Sequence, residues 1–320
     1  MPSNLKKTKA TIILSLVLVF VLVFLPEISI AKPENTIYIR ADGTVKPATA
    51  PIKRDKGIYR FTGNINGSIA VERDNTILDG NGHSLTNKEG MVALNLTRVR
   101  NVIIKNLTLK DCYGMGISLD RCSNVTVSGN TITGTCVFYP PVQATSGIYV
   151  WAGNSNILEG NVLADNYVGI YLGYDAEQNI IVNNNITSNR RGIVFCEASN
   201  NLIYHNNFIN NTINVHDNAA NSSSYSCSVN PWDKGYPSGG NYWSNYTGVD
   251  NNQDCIGDTL HIIDKNNQDN YPLANIIPEF PTCTILPLLI TATLLAIIYR
   301  KKLAKTPNPH HIRSLIILHC

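Results

Sequence analysis

The sequence predicts an all-β fold: a right-handed single-stranded parallel β-helix of about six rungs with a cap at each end. Two columns of residues predict it. The pattern apolar-x-x-Asn-x-apolar recurs as "LDGNGH" at Leu78, "VSGNTI" at Val127, "LEGNVL" at Leu158, "IVNNNI" at Ile181 and "IYHNNF" at Ile203, with "IKNLTL" at Ile104 as a variant. Its fourth positions, Asn81, Leu107, Asn130, Asn161, Asn184 and Asn206, are spaced 26, 23, 31, 23 and 22 residues apart. A glycine column, Gly90, Gly116, Gly147, Gly169 and Gly192, is spaced 26, 31, 22 and 23. Both registers widen to 31 at one place, where "TCVFYPPVQATS" loops out. Two registers that widen together mark a repeat.

Each element of that fold follows from the unit. Apolar and polar residues alternate over three to five positions before Asn or Gly interrupts, which describes a short strand and a turn. A strand that returns to the same edge every 22 or so residues pairs in parallel with its own copy one rung on, about 4.8 Å away. Six such rungs make a rod of roughly 29 Å, and parallel crossovers are right-handed. The column asparagines Asn81, Asn130, Asn161, Asn184 and Asn206 are expected at αL turns, where Asn is tolerated. Stacked one rung apart, their amides can form a structural ladder.

The two ends read differently. Lys6, Lys7 and Lys9 precede the apolar run "ATIILSLVLVFVLVFLPEISIA", the form of a secretory signal over residues 1–31, with an uncleaved N-terminal anchor as the other reading. Residues 283–299, "CTILPLLITATLLAIIY", reach about 26 Å as a helix, enough to cross a bilayer. Arg300, Lys301 and Lys302 after them place a 300–320 tail in the cytoplasm. The segments between are an N-terminal cap region at 32–72, repeats at 73–216, a C-terminal cap at 217–275 and a linker at 276–282. The chain is thereby expected outside the cell, held at the surface by one C-terminal segment. A net charge of +3, with 15% charged residues, gives no argument for nucleic acid.

Six cysteines fall in the external part, Cys112, Cys122, Cys136, Cys196, Cys227 and Cys255, and allow fifteen pairings. A Cys227–Cys255 bridge is the pairing that would close the C-terminal loop. Asn66, Asn95, Asn106, Asn124, Asn185, Asn210, Asn221 and Asn245 head N-x-Ser/Thr sequons, candidate glycosylation sites in an exported chain.

Three constellations bear on chemistry. In "DNNQDCIGD", Asp250, Asn252, Asp254 and Asp258 present oxygens at alternating positions, as a calcium loop does. Cys255 stands where that loop needs glycine, and His261 stands at its twelfth position; a solvated turn is the alternative reading. Tyr149, Trp151 and Tyr171 lie near the glycine column and could form a sugar-stacking ridge, or pack on a sheet face. Trp232, Tyr242, Trp243 and Tyr246 suit the sealing of the final rung. Few acids of the rungs recur in one column at neighbouring rungs, which speaks against hydrolysis by paired carboxylates.

"NTILDGNGHSL", the "GIYL" and "NIIVNNNITSN" repeats and "GGNYWSNYTGVDNNQDCIGDTLHIIDKNNQDNYPL" resemble archaeal proteins of the NosD-like right-handed β-helix family over about residues 34–275. That resemblance implies a fold shared with carbohydrate-binding proteins and sugar hydrolases. "IPEFP" before the apolar segment resembles an archaeal PEF-type sorting signal, which implies surface attachment and an archaeosortase as partner. The sequence departs from that signal by continuing with "LAKTPNPHHIRSLIILHC" after its basic residues. The expected function is a binding or structural module, with polysaccharide or a surface-layer component as its partner. A polysaccharide lyase or glycoside hydrolase is the rival reading. A copper-related accessory role is the third; it would need clustered Met, Cys and His, and here these are scattered.

Overall fold

The protein is described by a computed structural model for residues 36–135, 145–219 and 226–278. The signal segment, Cys136, most of the long insertion, Asn221, the end of the linker, the 283–299 segment and the basic tail lie outside these residues. No described helix is long and apolar enough to cross a membrane.

The chain winds into a right-handed solenoid of about seven turns, each contributing one strand to three sheets. Sheet A has nine strands, ending at Ile213–Asp217; sheets B and C have eight each. A representative rung is Val168–Gly173 in sheet A, Ile180–Val182 in sheet B and Asn185–Thr187 in sheet C. Pairing between rungs is parallel and in register, as in Leu158↔Ile181↔Ile203. The helix begins earlier than the expected boundary at residue 73. Thr36–Ile39, Ile58–Phe61 and Ile65–Asn66 already form a complete rung, pairing in parallel with the next one. That end is closed by two antiparallel strands, Val45–Lys46 and Ile52–Asp55.

Period-two alternation sends one set of side chains inward. Leu78, Ile104, Val127, Leu158, Ile181 and Ile203 from sheet B meet Leu85, Leu109, Ile132, Leu163, Ile186 and Phe208 from sheet C, all without solvent exposure. Each such side chain is worth about 1.5–3 kcal/mol of burial. The glycine column has a steric cause. A Cβ on Gly116, Gly147 or Gly169 would stand 2.6–2.9 Å from the carbonyl oxygen of the next glycine in the column.

The expected asparagine ladder exists, but it is one of three. At the turn between sheets B and C, Asn130, Asn161, Asn184, Asn206 and Asn241 are linked in series, each Nδ2 donating to the next Oδ1 at 2.9–3.0 Å. Each Oδ1 also accepts the preceding asparagine's backbone N–H. A second series, Asn156, Asn179, Asn201, Asn230, occupies the turn between sheets A and B. Asn230 continues it through its backbone N–H to Asn267 Oδ1. The third runs from Asn166 through Asn189 to Asn211 between sheets C and A.

Asn81 does not belong to any of them. It is exposed, has φ +52°, and donates to the Phe61 carbonyl. Its turn is longer: seven residues separate Leu78 from Leu85, against five between Val127 and Ile132. Nor are the ladder residues the αL positions. Those fall one residue earlier, at Gly129, Gly160, Asn183 and His205.

Two ladders end on carboxylates in the C-terminal cap. Asp269 Oδ2 accepts Asn241 N–H at 2.7 Å and Trp243 Nε1–H at 2.9 Å; Asp264 accepts the Asn267 amide. Trp232 and Trp243 close the core, with Phe208 stacked on Trp243 at 4.2 Å. Cys227 and Cys255 are free thiols rather than the expected bridge. The loop that the bridge would have closed is instead held by hydrogen bonds from backbone amides to aspartate side chains.

Asn184→Ala would leave the Asn161 donors and two carbonyls unpaired, at about 1–3 kcal/mol for each buried group. Urea denaturation should show a large loss for Asn184→Ala and almost none for Asn81→Ala. Burial raises the Asp269 carboxyl to about 6, against 3.8 for an ordinary aspartate. Its contribution is therefore complete below about pH 4 and lost as pH rises through about 6. The stability difference between wild type and Asp269→Asn, followed by thermal melting, should fall over that window.

Candidate functional site

The outward side chains of sheet A form columns fixed by register. One column runs Tyr38, Ala70, Asn95, Ser118, Tyr149, Tyr171, Val194 and His216. The next runs Thr97, Asp120, Trp151, Gly173 and Cys196. Parallel pairing thus brings Tyr149, Trp151 and Tyr171 together, as their sequence positions suggested.

The rings form a stacked row whose inner member, Tyr171, is buried against Val168 and Val194. Tyr149 and Tyr171 stack at 5.2 Å, and Tyr149 and Trp151 at 6.0 Å with planes 9° apart. Tyr174 extends it, stacked on Trp151 at 5.7 Å. Gly173 makes the arrangement possible: a Cβ there would stand 2.9 Å from the Trp151 ring and 2.7 Å from Tyr171. Tyr174 carries no repeat signature, lying in the turn after its strand at φ +41°, and pattern alone gave no signal for it. Burial pushes the Tyr149 phenol up to about 12, with Asp120 adding to it. Burial, then the Cys196 thiol, raises Tyr171 too. Both hydroxyls stay protonated across the physiological range.

Toward the N-terminal end, the same face opens into a groove of about 1620 Å³. Tyr38, Ala70 and Asn95 floor it, and the turns bearing Arg73, Lys88 and Arg98 wall it. Two of its acids are engaged: Glu72 pairs with Arg40 through both oxygens at 3.0 Å, and Asp74 Oδ1 accepts Arg100 N–H at 2.8 Å; the third lining acid, Glu89, belongs to no ion pair among the described residues. Arg73 donates Nη1–H to the Ala41 carbonyl, and its buried Nε has no partner. Further along the face, Asp120 pairs with Arg121. The Thr97 rung separates Glu72 from Asp120, so these carboxylates do not meet as an acid–base pair.

The Asp250 segment is organised by its own backbone. Asp250 accepts N–H from Asp254 and Cys255, Asp254 accepts from Ile256, and Asp258 accepts from Asn251. Asn252 Nδ2 donates to Asp254 Oδ2 at 3.0 Å. Cys255, at φ +72°, takes the reversal a glycine would normally take. No group of three or more His, Cys, Asp or Glu able to hold a metal ion occurs among the described residues.

The sequon asparagines divide by geometry. Asn106 and Asn124 have their side-chain amides engaged, donating to Asp79 and Asn101. Asn245 accepts from Asn214, and Asn66 from Thr86. Asn95 lines the groove, Asn210 is exposed at a turn, and Asn185 faces outward from sheet C.

The model of a family described as "Periplasmic copper-binding protein (NosD)" matches residues 31–248. No curated protein matches. Among solved structures, the periplasmic alginate epimerase AlgG is similar at 17% identity and a TM-score of 0.43, over 53% of this chain and 42% of that one. A point mutant of AlgG gives 18% and 0.40, over 53% and 44%. The chain thus spans less than half the length of those structures. Copper does not fit the described residues: the histidines are dispersed, with His205 bound to the Ser238 carbonyl and His261 stacked on Trp243. The matched repeats, carried in register through the solenoid, place the chain in the NosD family.

Proposed function

We propose that this is an exported module that binds a linear polysaccharide laid along sheet A, parallel to the solenoid axis. The observation that carries the reading is the stacked row of half-buried Tyr149 and Trp151 and exposed Tyr174, backed by the buried Tyr171, on the face that also holds the groove. Aromatic faces pack against the C–H faces of sugar rings while neighbouring hydroxyls find polar partners. A pyranose advances a chain by about one rung, so successive sugars meet successive columns. The 1–31 segment supplies export. The 283–299 segment supplies attachment at the cell surface, with an archaeosortase as the processing partner. A lyase or hydrolase would need adjacent, available carboxylates, and on this face Glu72 and Asp120 are separated and paired with arginines while Asp74 is held by a backbone N–H; Glu89 is the groove acid outside these contacts. Any calcium held by the Asp250 loop would stabilise the cap rather than meet the sugar.

The test is retention of the full-length protein on a polysaccharide array, with released sugars measured in the same wells. Trp151→Ala should weaken retention about tenfold, the loss of roughly 1.4 kcal/mol of stacking, while Tyr236→Ala, an exposed aromatic elsewhere, should not. Gly173→Ala should weaken it too, by displacing the indole. Because Tyr149 ionises near 12, retention should be flat from about pH 6 to 9. Sugar release by the wild type would replace this reading with the enzymatic one.

A further inference from the structure

Sheet B carries a feature that ligand binding on sheet A does not use. Its outward column is Ile58, Ile77, Ile103, Thr126, Ile157, Ile180 and Leu202, one residue per rung over seven rungs. All are partly exposed, Ile103 the most at 36%. The matching column of sheet C is mostly polar by contrast, running Ser84, Thr108, Thr131, Val162, Asn185 and Asn207. No other described strand packs over the sheet B stripe. Asn106 and Asn124, the sequon residues that border it, have their side-chain amides engaged within the scaffold.

The neighbouring outward column supplies the argument for the occupant. It runs Arg60, Asp79, Lys105, Ser128, Glu159, Val182 and Tyr204. Lys105 lies one rung before Ser128 and Glu159 one rung after it. Neither belongs to any of the three ion pairs among the described residues. A two-fold axis through the Thr126–Ser128 rung, parallel to the strands, lays one copy antiparallel on another. It sets the apolar column on itself, Ile103 against Ile157 and Ile77 against Ile180. The same operation sets Lys105 against Glu159, twice.

We infer that sheet B is a self-association surface and that its partner is a second copy of this chain, antiparallel about that axis. Such an isologous contact closes as a dimer. Seven rungs span about 34 Å, and two columns give a few hundred Å² per protomer, below the ~800 Å² of a standard interface. The dimer is accordingly weak, concentration-dependent and sensitive to salt. Sheet A of both copies stays open.

The experiment is sedimentation of the full-length protein from about 1 to 200 μM, at low and high salt, with charge variants. Reversible dimerisation is expected. Ile103→Lys should abolish it, Lys105→Glu should raise the dissociation constant about tenfold, and the double variant Lys105→Glu with Glu159→Lys should restore it. A monomer throughout, or a dimer indifferent to Ile103→Lys, overturns the inference. So does a double variant no better than the single one. Because these side chains point outward, wild-type melting behaviour in each variant keeps folding out of the comparison.

Discussion

Everything in this molecule depends on strict register between rungs, and three asparagine ladders hold it. A parallel backbone ladder alone tolerates slippage where a strand is only three residues long, as Thr131–Thr133 and Ile157–Glu159 are. An asparagine buried at the turn removes that freedom. Its Oδ1 satisfies two donors of the rung before, and its Nδ2 reaches the rung after and an earlier carbonyl, as Asn184 does with Asn206 and Leu158. A slipped strand would leave these buried groups unpaired, at a cost exceeding what a short strand gains from its own pairing. The glycine column enforces the same register sterically.

The ladders have a direction. Ladder asparagines donate a backbone N–H, and most also an Nδ2–H, toward the C-terminal end, so each ladder presents unsatisfied N–H groups there, much as the first turn of a helix does. Aspartate is an apt terminator because its carboxyl oxygens accept these N–H groups without adding an amide's further donors. Asp269 and Asp264 close two ladders. Asp269 also receives the indole N–H of Trp243, so electrostatic closure and the apolar lid meet at one residue. The third ladder ends within the described residues at Asn211, which turns its amide to Asn214 of the last sheet A strand. A cap was expected on the ground that a bare rung exposes its edge; the polarity of the ladders adds why aspartates belong there.

The period, the parallel sheets, the inward columns and one ladder were legible because they repeat within a short frame. The other two ladders were also written in the sequence. Asn156, Asn161 and Asn166 recur at five-residue intervals, as do Asn179, Asn184 and Asn189, and Asn201, Asn206 and Asn211. A frame centred on one apolar pair sees only the middle member. Asn81 fits that frame by letter and fails by geometry, since two extra residues in its turn carry it to the surface. Of the stacked row, Tyr149, Trp151 and Tyr171 could be read because they sit on strands, while Tyr174 depends on a turn conformation. The groove's arginines lie on turns of unequal length, where no register applies.

This division explains why family membership constrains the scaffold more than the chemistry. Inward columns, turn asparagines and glycines are spoken for by packing and pairing, which leaves only the outward columns free to differ. On sheet A those columns change from Asn95 and Ser118 to Tyr149 and Tyr171 within two rungs, with no disturbance of the core behind them. A metal site requires several donors to converge, whereas a solenoid face spaces its residues at fixed intervals along straight lines. Dispersed histidines on such a face stay dispersed. An extended ligand with a repeat close to one rung makes the opposite demand: it needs evenly spaced, similar contacts, which stacked columns provide. The geometry of the scaffold is therefore better matched to a polymer than to an ion, and the proposed polysaccharide reading rests on that match at the aromatic columns of sheet A.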